Sequence, residues 1–500
     1  MGTGGTASGG AATGGAAGGT AGNAGGAATG GAAGGTAGNA GGATGGARTG
    51  GTAGSSAAGG ATGGARTGGT AGSSATGGAT GGAATGGTAG SSAAGGATGG
   101  AATGGTAGSS AAGGTTGGGG TSDTGGTSGA GGSTLIGGPG PASQMIAQTG
   151  VDWGQLVIDT EIAGKTLLGS TYPEGLILHG MSKAYKRLKD TAASKAATYL
   201  TFLTTSVGKW GVADGSSLDN IMHMAALCDT YELTQTASYQ APALATRRIF
   251  DSYPTVPPTN GAFWHANNGT RDNQLWGDGV FMSLSFLTRY ATVFNDPTVY
   301  PIAENNLTIT ASHLKNSATG LFWHAYDDSG KATWAKPGSK TNEISWGRAM
   351  GWFSMATVMT LEMLPADDPG RAQIETILKD LLTAVASYQD PTTGRWFQVV
   401  DRGSNTQNWV ETSCSSMYSF VIWWAYQHGL LDASFADVAK KGFNGVMQEV
   451  TKNTTNQTTI ANICTGLNAS GNVTDYFTHA KASNDLHGIG SFILMWEGMQ

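Results

Sequence analysis

The sequence predicts an all-α barrel preceded by a disordered, low-complexity N-terminal tail. Residues 1–134 hold most of the 88 glycines and only three charged side chains, Arg48, Arg66 and Asp123. This segment has almost no apolar surface to bury, so it cannot offset the entropy lost on ordering. Residues 145–500 contain all 13 tryptophans, and their apolar residues recur with helical spacing. A segment of that length is enough for one large domain with a single core.

The helical spacing is clearest in seven segments, separated by aromatic and glycine-rich connections. These segments are 174–203, 218–234, 279–294, 346–364, 371–388, 412–428 and 486–498. The connections contain strand-like stretches at Gly261–His265, Gly320–Tyr326 and Gly394–Asp401. A parallel α/β fold would need buried Val- and Ile-rich strands between the helices, and the sequence has none. The pattern favours an all-α barrel whose connections gather at one rim.

The tail is built from internal repeats. Residues 11–26 and 27–42 are identical, and an eighteen-residue unit then occurs four times between residues 43 and 114. A period of this length also occurs in solenoids, but each unit lacks the apolar residues that stacked repeats bury. We interpret the tail as a flexible tether or spacer. Repeat expansion without function is the alternative.

Charge and motifs argue against several classes of function. The chain has a formal charge of −6 and no basic cluster, so we expect no nucleic-acid partner. It has no run of eighteen apolar residues, so we expect no membrane span. The three cysteines, Cys228, Cys414 and Cys464, lack metal-ligand spacing and form either one disulfide with one free thiol or three free thiols. No zinc-protease, Walker or nucleophile-elbow motif is present, and we expect no metal and no cofactor.

The beginning of the sequence does not decide where in or outside the cell the protein is located. Met1 is followed directly by glycine-rich sequence, without the basic and apolar regions of a secretory signal. A leader already removed, a misassigned start and an intracellular protein all fit this beginning. We expect an extracellular or cell-surface location, with the cytoplasm as the alternative. The sequence predicts no oligomeric state.

Two aspartates stand at the beginnings of apolar helical segments. Asp278 lies between Gly277 and Gly279, with Trp276 just before Gly277, while Asp219 opens the segment 218–234. Helix capping explains both residues, but a cap needs neither two glycines nor an indole beside it. If both helices begin on the same rim, the two carboxylates come close, and the repulsion of like charges raises the pKa of one of them against the opposing effect of the helix N-terminus. A carboxylic acid that keeps its proton is what acid catalysis requires.

Three further side chains suit a sugar-binding site. His324 lies in an aromatic connection, and Arg348 and Trp352 lie four residues apart on one helical face. An arginine binds a carboxylate with two hydrogen bonds, and an indole offers a flat wall to a sugar ring. The alternatives are a loop histidine bound to a backbone carbonyl, an arginine paired with a structural acid, and a core tryptophan. Glu411 and His487, at later helix starts, fit a structural role as well as a catalytic one.

Together these segments resemble the unsaturated glucuronyl and rhamnogalacturonyl hydrolases of the six-hairpin α/α toroid type. The resemblance covers nearly the whole globular part, and its segments occur in the family's order. The matching stretches are FWH and QLWGDGVFM within 263–282, GLFWHAYDD at 320–328, SWGRAMGW at 345–352, GRWFQVVD and ETSCSSMY within 394–418, and NDLHGIGSF at 484–492.

The resemblance implies an (α/α)6 barrel over residues 145–500 and a hydrolase that acts on an oligosaccharide. Such enzymes hydrate the C4=C5 double bond of a terminal unsaturated uronate left by a polysaccharide lyase, and the resulting hemiketal collapses with loss of the leaving sugar. The resemblance assigns Asp278 as the general acid/base and Asp219 as the partner that tunes it and holds water. It assigns uronate and sugar binding to His324, Arg348, Trp352, Trp276 and His265.

Two departures from the family pattern concern the same rim. The large apolar residue that usually precedes the catalytic aspartate is Gly277 here, and the usual Gly-Asn after the arginine is Ala349-Met350. We expect the first to widen the site and the second to remove a polar group from the sugar subsite. Two other functions stay open. One is an ordinary glycosidase or an epimerase on the same toroid, and the other is a non-catalytic carbohydrate-binding surface protein tethered by the tail.

Overall fold

The computed structural model describes residues 135–257 and 261–500, together with six short strands inside the repeat tail. The chain divides into two compact units, Met1–Gly125 and Gly126–Gln500. Within the described residues, no helix combines the length and apolar character that crossing a bilayer requires. The three cysteines are free and buried, which agrees with the second of the two arrangements expected for them.

The described segments of the tail are strands of its repeat unit. They are β1 (Ala53–Ala57), β2 (Arg66–Thr67), β3 (Ala71–Ala75), β4 (Ala84–Thr85), β5 (Ala89–Ala93) and β6 (Gly108–Ser109). The strands pair in parallel in the orders β1-β3-β5-β6 and β2-β4. Ala53 faces Ala71, and Ala71 faces Ala89, so neighbouring strands are offset by one repeat. Apart from these strands, the residues of the tail lie outside the described part of the chain. The disorder of the tail therefore stays a prediction.

The second unit is helical. Its helices, within the described residues, are α1 (Pro141–Thr149), α2 (Trp153–Ile162), α3 (Tyr172–Leu188), α4 (Ala193–Val207), α5 (Met224–Thr234), α6 (Gln240–Ile249), α7 (Gly277–Phe294), α8 (Val299–Leu314), α9 (Gly347–Met363), α10 (Arg371–Ser387), α11 (Thr412–Gln427), α12 (Ala433–Met447), α13 (Val473–Phe477) and α14 (Leu486–Gly498). Its strands are β7 (Gln274–Trp276), β8 (Ala325–Asp327), β9 (Trp396–Phe397), β10 (Val410–Glu411), β11 (Val450–Lys452), β12 (Thr458–Ile460), β13 (Ile463–Cys464) and β14 (Lys481–Ala482).

Six of the helices form a closed inner ring. Helices α3, α5, α7, α9, α11 and α14 each contact the next, and α14 returns to α3. Helices α2, α4, α6, α8, α10 and α12 pack outside this ring against the inner ones. The inner helix α9 is buried on almost every face, whereas the outer helix α10 buries a single stripe at Ile374, Leu378, Leu381, Leu382 and Val385. Helices apolar all round belong inside and amphipathic helices outside, and the predicted (α/α)6 barrel is confirmed.

The lengths of the connections place the site. Short connections follow the inner helices, as at 189–192, 295–298 and 428–432, and helices joined in this way run antiparallel. All inner helices therefore begin at the same end of the barrel. The long connections, such as 250–276 and 315–346, also gather at that end, where β7 pairs with β8 and β9 with β10. Side chains in the first turns of the inner helices consequently face one shared rim.

Three of the predicted boundaries needed correction. The segment predicted as one helix over 174–203 is two, because α3 ends at Leu188 and the chain turns back before α4, while the apolar spacing continues across the turn. Helix α1 begins at Pro141, ahead of the predicted start of the globular part, and its backbone bonds to Met499 near the chain end. The stretch Gly261–His265 forms only an isolated bridge at Phe263. Helices α1, α2, α6, α8, α12 and α13 were not predicted.

Candidate active site

Asp278 is the second residue of α7 and lies at the rim. Strand β7 ends at Trp276, which occupies the N-cap position of α7. The carboxylate of Asp278 is therefore not the helix cap that the sequence also allowed. The side chain of Asp278 retains 13 % of its exposure, so part of it faces the space enclosed by the rim.

The two glycines around Asp278 let α7 begin in close contact with its neighbours. A Cβ at Gly277 would lie 3.0 Å from the carbonyl oxygen of Ala349, and a Cβ at Gly279 would lie 2.9 Å from Nδ1 of His265. A side chain at either position would push α7 away, since the interior is close-packed. The two positions that depart from the family pattern, Gly277 and Ala349, thus lie against each other where α7 packs on α9. The expected widening near Asp278 does not occur, because Ala349 fills the space.

One oxygen of Asp278 faces a buried imidazole. Its Oδ2 is buried and lies 3.2 Å from Nε2 of His324, a residue with no exposed surface. Burial lowers the pKa of His324 and outweighs the opposing effect of Asp278, so the imidazole is neutral near pH 7. The backbone N–H of Gly277 donates to the carbonyl of His324 at 3.0 Å, which ties this histidine to the start of α7.

Asp219 sits in a different electrostatic environment. It lies in a 3-10 turn, Leu218–Asn220, which is capped by Ser217 and precedes α5. Its Oδ2 is 3.2 Å from Nη1 of Arg271 and 3.4 Å from Nε2 of His265. Burial raises the pKa of Asp219, but His265 and Arg271 together outweigh burial and hold that pKa below its usual value. Asp219 is therefore a fixed anion at neutral pH, and it is not a helix cap.

A row of aromatic rings connects the two carboxylates. The imidazole of His265 stacks on the indole of Trp276 with centroids 4.5 Å apart, and His324 meets the same indole edge-on at 5.2 Å. His265 contacts Asp219, and His324 contacts Asp278. The two acids therefore lie on the same rim, which is the condition that the sequence reasoning left open.

Tyr172, the first residue of α3, completes this rim and was missed by the sequence reasoning. Its phenol oxygen is 2.5 Å from Nε2 of His487, whose Nδ1 is 2.5 Å from Asp485. Burial raises the pKa of Tyr172; the charge of Arg348 opposes this effect, and the charges of Asp219 and Asp278 add to it. The available signal was its position at the start of an apolar helix, where the other site residues also lie.

Arg348, in the first turn of α9, is bound by backbone carbonyls. Its guanidinium donates to the carbonyl oxygens of Cys464 at 2.5 Å and Thr465 at 2.6 Å, and to Oγ of Ser413 at 3.3 Å. It also lies over the indole of Trp346 at 4.8 Å. In the described part of the chain its Nε has no hydrogen-bond partner. The alternative of an arginine paired with a structural acid is not what the structure shows.

Three residues expected to line the sugar subsite lie behind it. Trp352 is 1 % exposed and stacks on Phe281 at 4.6 Å in the main core, because four residues along α9 from the rim already reach the packed interior. Trp276 is 6 % exposed and is covered by the rings of His265 and the guanidinium of Arg271. His265 is 2 % exposed and contacts Asp219. His265 and Trp276 lie against the carboxylates and their partners, and none of the three side chains offers an open aromatic face.

Glu411 has a structural role. It is fully buried and caps α11 by accepting the backbone N–H groups of Ser413 and Cys414. It also accepts the N–H of Cys464 at 2.9 Å, which fixes the segment whose carbonyls bind Arg348. The structural interpretation of this residue, left open by the sequence, fits these contacts.

The arrangement has the components of an acid/base site. Asp219 is an anion held by cationic and imidazole partners, while Asp278 faces a neutral, buried imidazole and keeps part of its surface open. Two carboxyl groups whose surroundings differ in this way can divide the roles of proton carrier and fixed charge. Tyr172 adds a phenol, bound to His487, at the same rim.

Comparisons with known proteins agree with this geometry. The model of Glycosyl Hydrolase Family 88 matches residues 153–499. Protein Atu3128 of Agrobacterium fabrum is 34% identical over 158 residues, which are 32% of this chain and 66% of that protein. The unsaturated rhamnogalacturonyl hydrolase YesR of Bacillus subtilis is 23% identical over 267 residues, 49% of this chain and 67% of that protein. The chain thus matches about two thirds of the length of these relatives.

A solved structure shares the fold over its full length. A glycoside hydrolase from family 105 of C. acetobutylicum superimposes with a TM-score of 0.63 at 26% identity, over 69% of this chain and 99% of that one. The unsaturated glucuronyl hydrolase of Bacillus sp. GL1 superimposes with a TM-score of 0.52 at 12% identity, over 71% and 96% of the two chains; at that identity the likeness concerns the fold alone. Because the family model spans nearly all of the barrel, the chain belongs to Glycosyl Hydrolase Family 88.

Proposed function

We propose that this protein is a glycosidase that releases a 4,5-unsaturated uronic acid from the non-reducing end of lyase-generated oligosaccharides. Membership of Glycosyl Hydrolase Family 88 supports a hydrolase of this kind. The name of its relative YesR, an unsaturated rhamnogalacturonyl hydrolase, supports rhamnogalacturonan-type fragments as the substrate class. The observation that carries the proposal is the pair Asp219 and Asp278, placed on one rim in contrasting environments.

In the proposed reaction Asp278 carries the proton. It transfers this proton to C4 of the uronate, so a C4–H bond forms from the electrons of the C4=C5 double bond. The ring oxygen stabilises the positive charge that develops at C5. Water then adds to C5 and returns a proton to Asp278, which restores the acid. One carboxyl group thus serves both proton steps.

The hydrated sugar then loses its leaving group without further help from the acid pair. The product of hydration is a hemiketal at C5, and its ring C5–O bond breaks to give a ketone at C5. The ring oxygen becomes a hydroxyl group on C1, and the resulting hemiacetal expels the leaving sugar as an alcohol, leaving an aldehyde. The carboxylate spacing that separates retaining from inverting glycosidases does not apply to this route.

We assign roles in this reaction to the remaining site residues according to their positions. Asp219, as an anion, accepts a hydrogen bond from the attacking water and favours positive charge on the sugar. Arg348 lies beneath the rim and supplies positive potential for the uronate carboxylate. Tyr172 donates to His487, because Asp485 takes the hydrogen on Nδ1 of that imidazole. The phenol oxygen is then free to accept a hydrogen bond from a substrate hydroxyl group.

The geometry disfavours the alternative of a non-catalytic sugar-binding protein. Sugar binders present exposed aromatic faces to sugar rings, and here Trp276 and Trp352 are covered. Binding alone also needs no pair of acids. We find no observation that favours an ordinary glycosidase over the hydration route.

Loss of the ultraviolet absorbance of the enol ether tests the proposal. Purified protein is given unsaturated disaccharides prepared with a rhamnogalacturonan lyase and, separately, with a glycosaminoglycan lyase. Turnover in D2O must place one deuterium on C4, because that atom receives its new hydrogen from the acid. Release of an intact unsaturated uronate, without deuterium at C4, would indicate direct hydrolysis instead. A folded protein that consumes neither disaccharide would refute the proposal.

Asp278→Asn tests the role of Asp278 as the proton carrier. Removing the proton carrier is expected to lower kcat by a factor of about 10² to 10⁴, while substrate affinity changes little. Asp432→Asn, which alters an exposed cap on the outer helix α12, is the control and is expected to keep full activity. An active Asp278→Asn variant would assign the acid to another residue.

A further inference from the structure

Tyr476 lies directly behind the candidate acid, in the short helix α13. It has no exposed surface and packs in a small cluster beneath the rim with Trp346. Its ring meets the imidazole of His324 edge-on, with centroids 5.8 Å apart. Its phenol oxygen has three polar neighbours: Nδ1 of His324 at 2.7 Å, Nδ2 of Asn342 at 2.9 Å and the backbone N of Ser470 at 3.2 Å.

Two of these three neighbours can only donate a hydrogen bond. A backbone N–H has no lone pair to offer, so Ser470 donates to the phenol oxygen. The amide of Asn342 is oriented by its other contacts. Its Nδ2 lies 3.1 Å from the carbonyl of Ser470, and its Oδ1 lies 3.3 Å from the backbone N of Ala325. The reverse orientation would place oxygen against oxygen and nitrogen against nitrogen, so Nδ2 is the atom that faces Tyr476.

The hydrogen of the phenol therefore has one acceptor left, Nδ1 of His324. Burial raises the pKa of Tyr476, so the phenol keeps this hydrogen. Burial also lowers the pKa of His324, so its ring carries a single hydrogen. Since Nδ1 accepts, that hydrogen resides on Nε2, which lies 3.2 Å from Oδ2 of Asp278. The chain of contacts thus runs from the backbone through Tyr476 and His324 to the carboxyl group of Asp278.

We propose that Tyr476 is a positioning residue that fixes the Nε2–H tautomer of His324 and thereby selects which oxygen of Asp278 carries the transferable proton. Nε2 of His324 and Oδ2 of Asp278 lie 3.2 Å apart, and neither atom has another hydrogen-bond partner in the described part of the chain. A hydrogen on Nε2 favours a lone pair on the nearby Oδ2, so the acidic hydrogen is placed on Oδ1. Asp278 then protonates C4 from Oδ1 as the C4–H bond forms, and Oδ2 of its carboxylate stays beside Nε2 of His324. The sequence reasoning assigned His324 to uronate binding, whereas this proposal gives it the role of holding the acid. The catalytic part of this inference rests on the proposed function, whereas the tautomer does not.

The tautomer is measured directly by nitrogen NMR of protein labelled with 15N-histidine. The His324→Gln variant identifies the resonances of His324 among the 8 histidines. In the wild-type protein the two ring nitrogens are expected at the shifts of an unprotonated Nδ1 and a protonated Nε2. In Tyr476→Phe the hydrogen bond to Nδ1 is lost, and the resonances are expected to move toward a mixture of the two tautomers. A wild-type His324 that is protonated at Nδ1, or at both nitrogens, would overturn the proposal even if the variant does not fold.

Kinetics test the consequence for the acid. Tyr476→Phe is expected to lower kcat on the unsaturated disaccharide at least about tenfold and to leave KM within about twofold, because ground-state binding is intact. The control is Tyr199→Phe, which removes another buried hydroxyl group, bonded to Asp159 on the outer side of the barrel, and is expected to keep full activity. An unchanged kcat in Tyr476→Phe would refute the positioning role. If no unsaturated uronide is consumed but His324 is the Nε2–H tautomer, the proposed function fails and the tautomer assignment stands.

Discussion

Replacement of Gly277 by leucine is the perturbation that tests how α7 and α9 meet. The family pattern has a large apolar residue at position 277 and a glycine at position 349, whereas this chain has Gly277 and Ala349. A Cβ at position 277 would lie 3.0 Å from the carbonyl oxygen, 3.3 Å from the carbonyl carbon and 3.3 Å from the Cβ of Ala349. Two of these three atoms belong to the backbone of α9, so the neighbour cannot rotate away. The added side chain must therefore separate the two helices.

The expected magnitude follows from this contact. Extra methylene groups in a packed interior lower the free energy of unfolding by about 1 to 3 kcal/mol. Ala349→Gly alone costs about 1 kcal/mol because glycine is a poor helix former. The double variant removes the Cβ that leucine meets, so it should be more stable than the sum of the two single changes by at least about 1 kcal/mol. The backbone oxygen of residue 349 stays in place, so the recovery is partial.

Urea unfolding followed by tryptophan fluorescence measures these differences. Near-wild-type stability of Gly277→Leu would refute the close contact, and so would a double variant that is additive within about 0.5 kcal/mol. Activity provides a second measurement, because Asp278 follows position 277 directly. Gly277→Leu is expected to lose kcat together with stability, and the double variant is expected to recover part of both.

Two further predictions concern Asp219 and Trp352. Asp219 has a pKa below its usual value because Arg271 and His265 outweigh burial; its ionised form is therefore present above that low pKa and is lost as the pH falls through it. Arg271→Ala removes one of the two partners, so the acid limb of the profile of kcat/KM against pH is expected to move to higher pH, and an unmoved limb would count against Asp219 as a required anion. Trp352→Ala is expected to lower the free energy of unfolding by about 3 to 5 kcal/mol, as for a core indole. A stable Trp352→Ala variant with only a raised KM would instead return this residue to the sugar subsite.

The candidate acids could be predicted from the sequence because their local context was unusual. Asp278 stands between two glycines at the start of an apolar helix, and the structure explains both glycines by contacts with α9 and with His265. The structure buries Trp352 in the core, which the sequence could not show, because spacing of four residues indicates a shared helical face but not how deep along the barrel that face lies. Tyr172 and Tyr476 were missed because single tyrosines carry no spacing pattern. Their roles arise from partners that are 315 and 152 residues away in the chain.

The sequence by itself determined the helical barrel and singled out Asp278, because apolar periodicity and a glycine-flanked aspartate are local properties that a segment carries with it. Only the tertiary structure decided which carboxylate is paired with cations, which indoles are buried and which nitrogen of His324 faces the acid. These properties depend on contacts between connections that precede different inner helices. Closing the ring of six helices brings those connections to one rim, and no single segment encodes that closure.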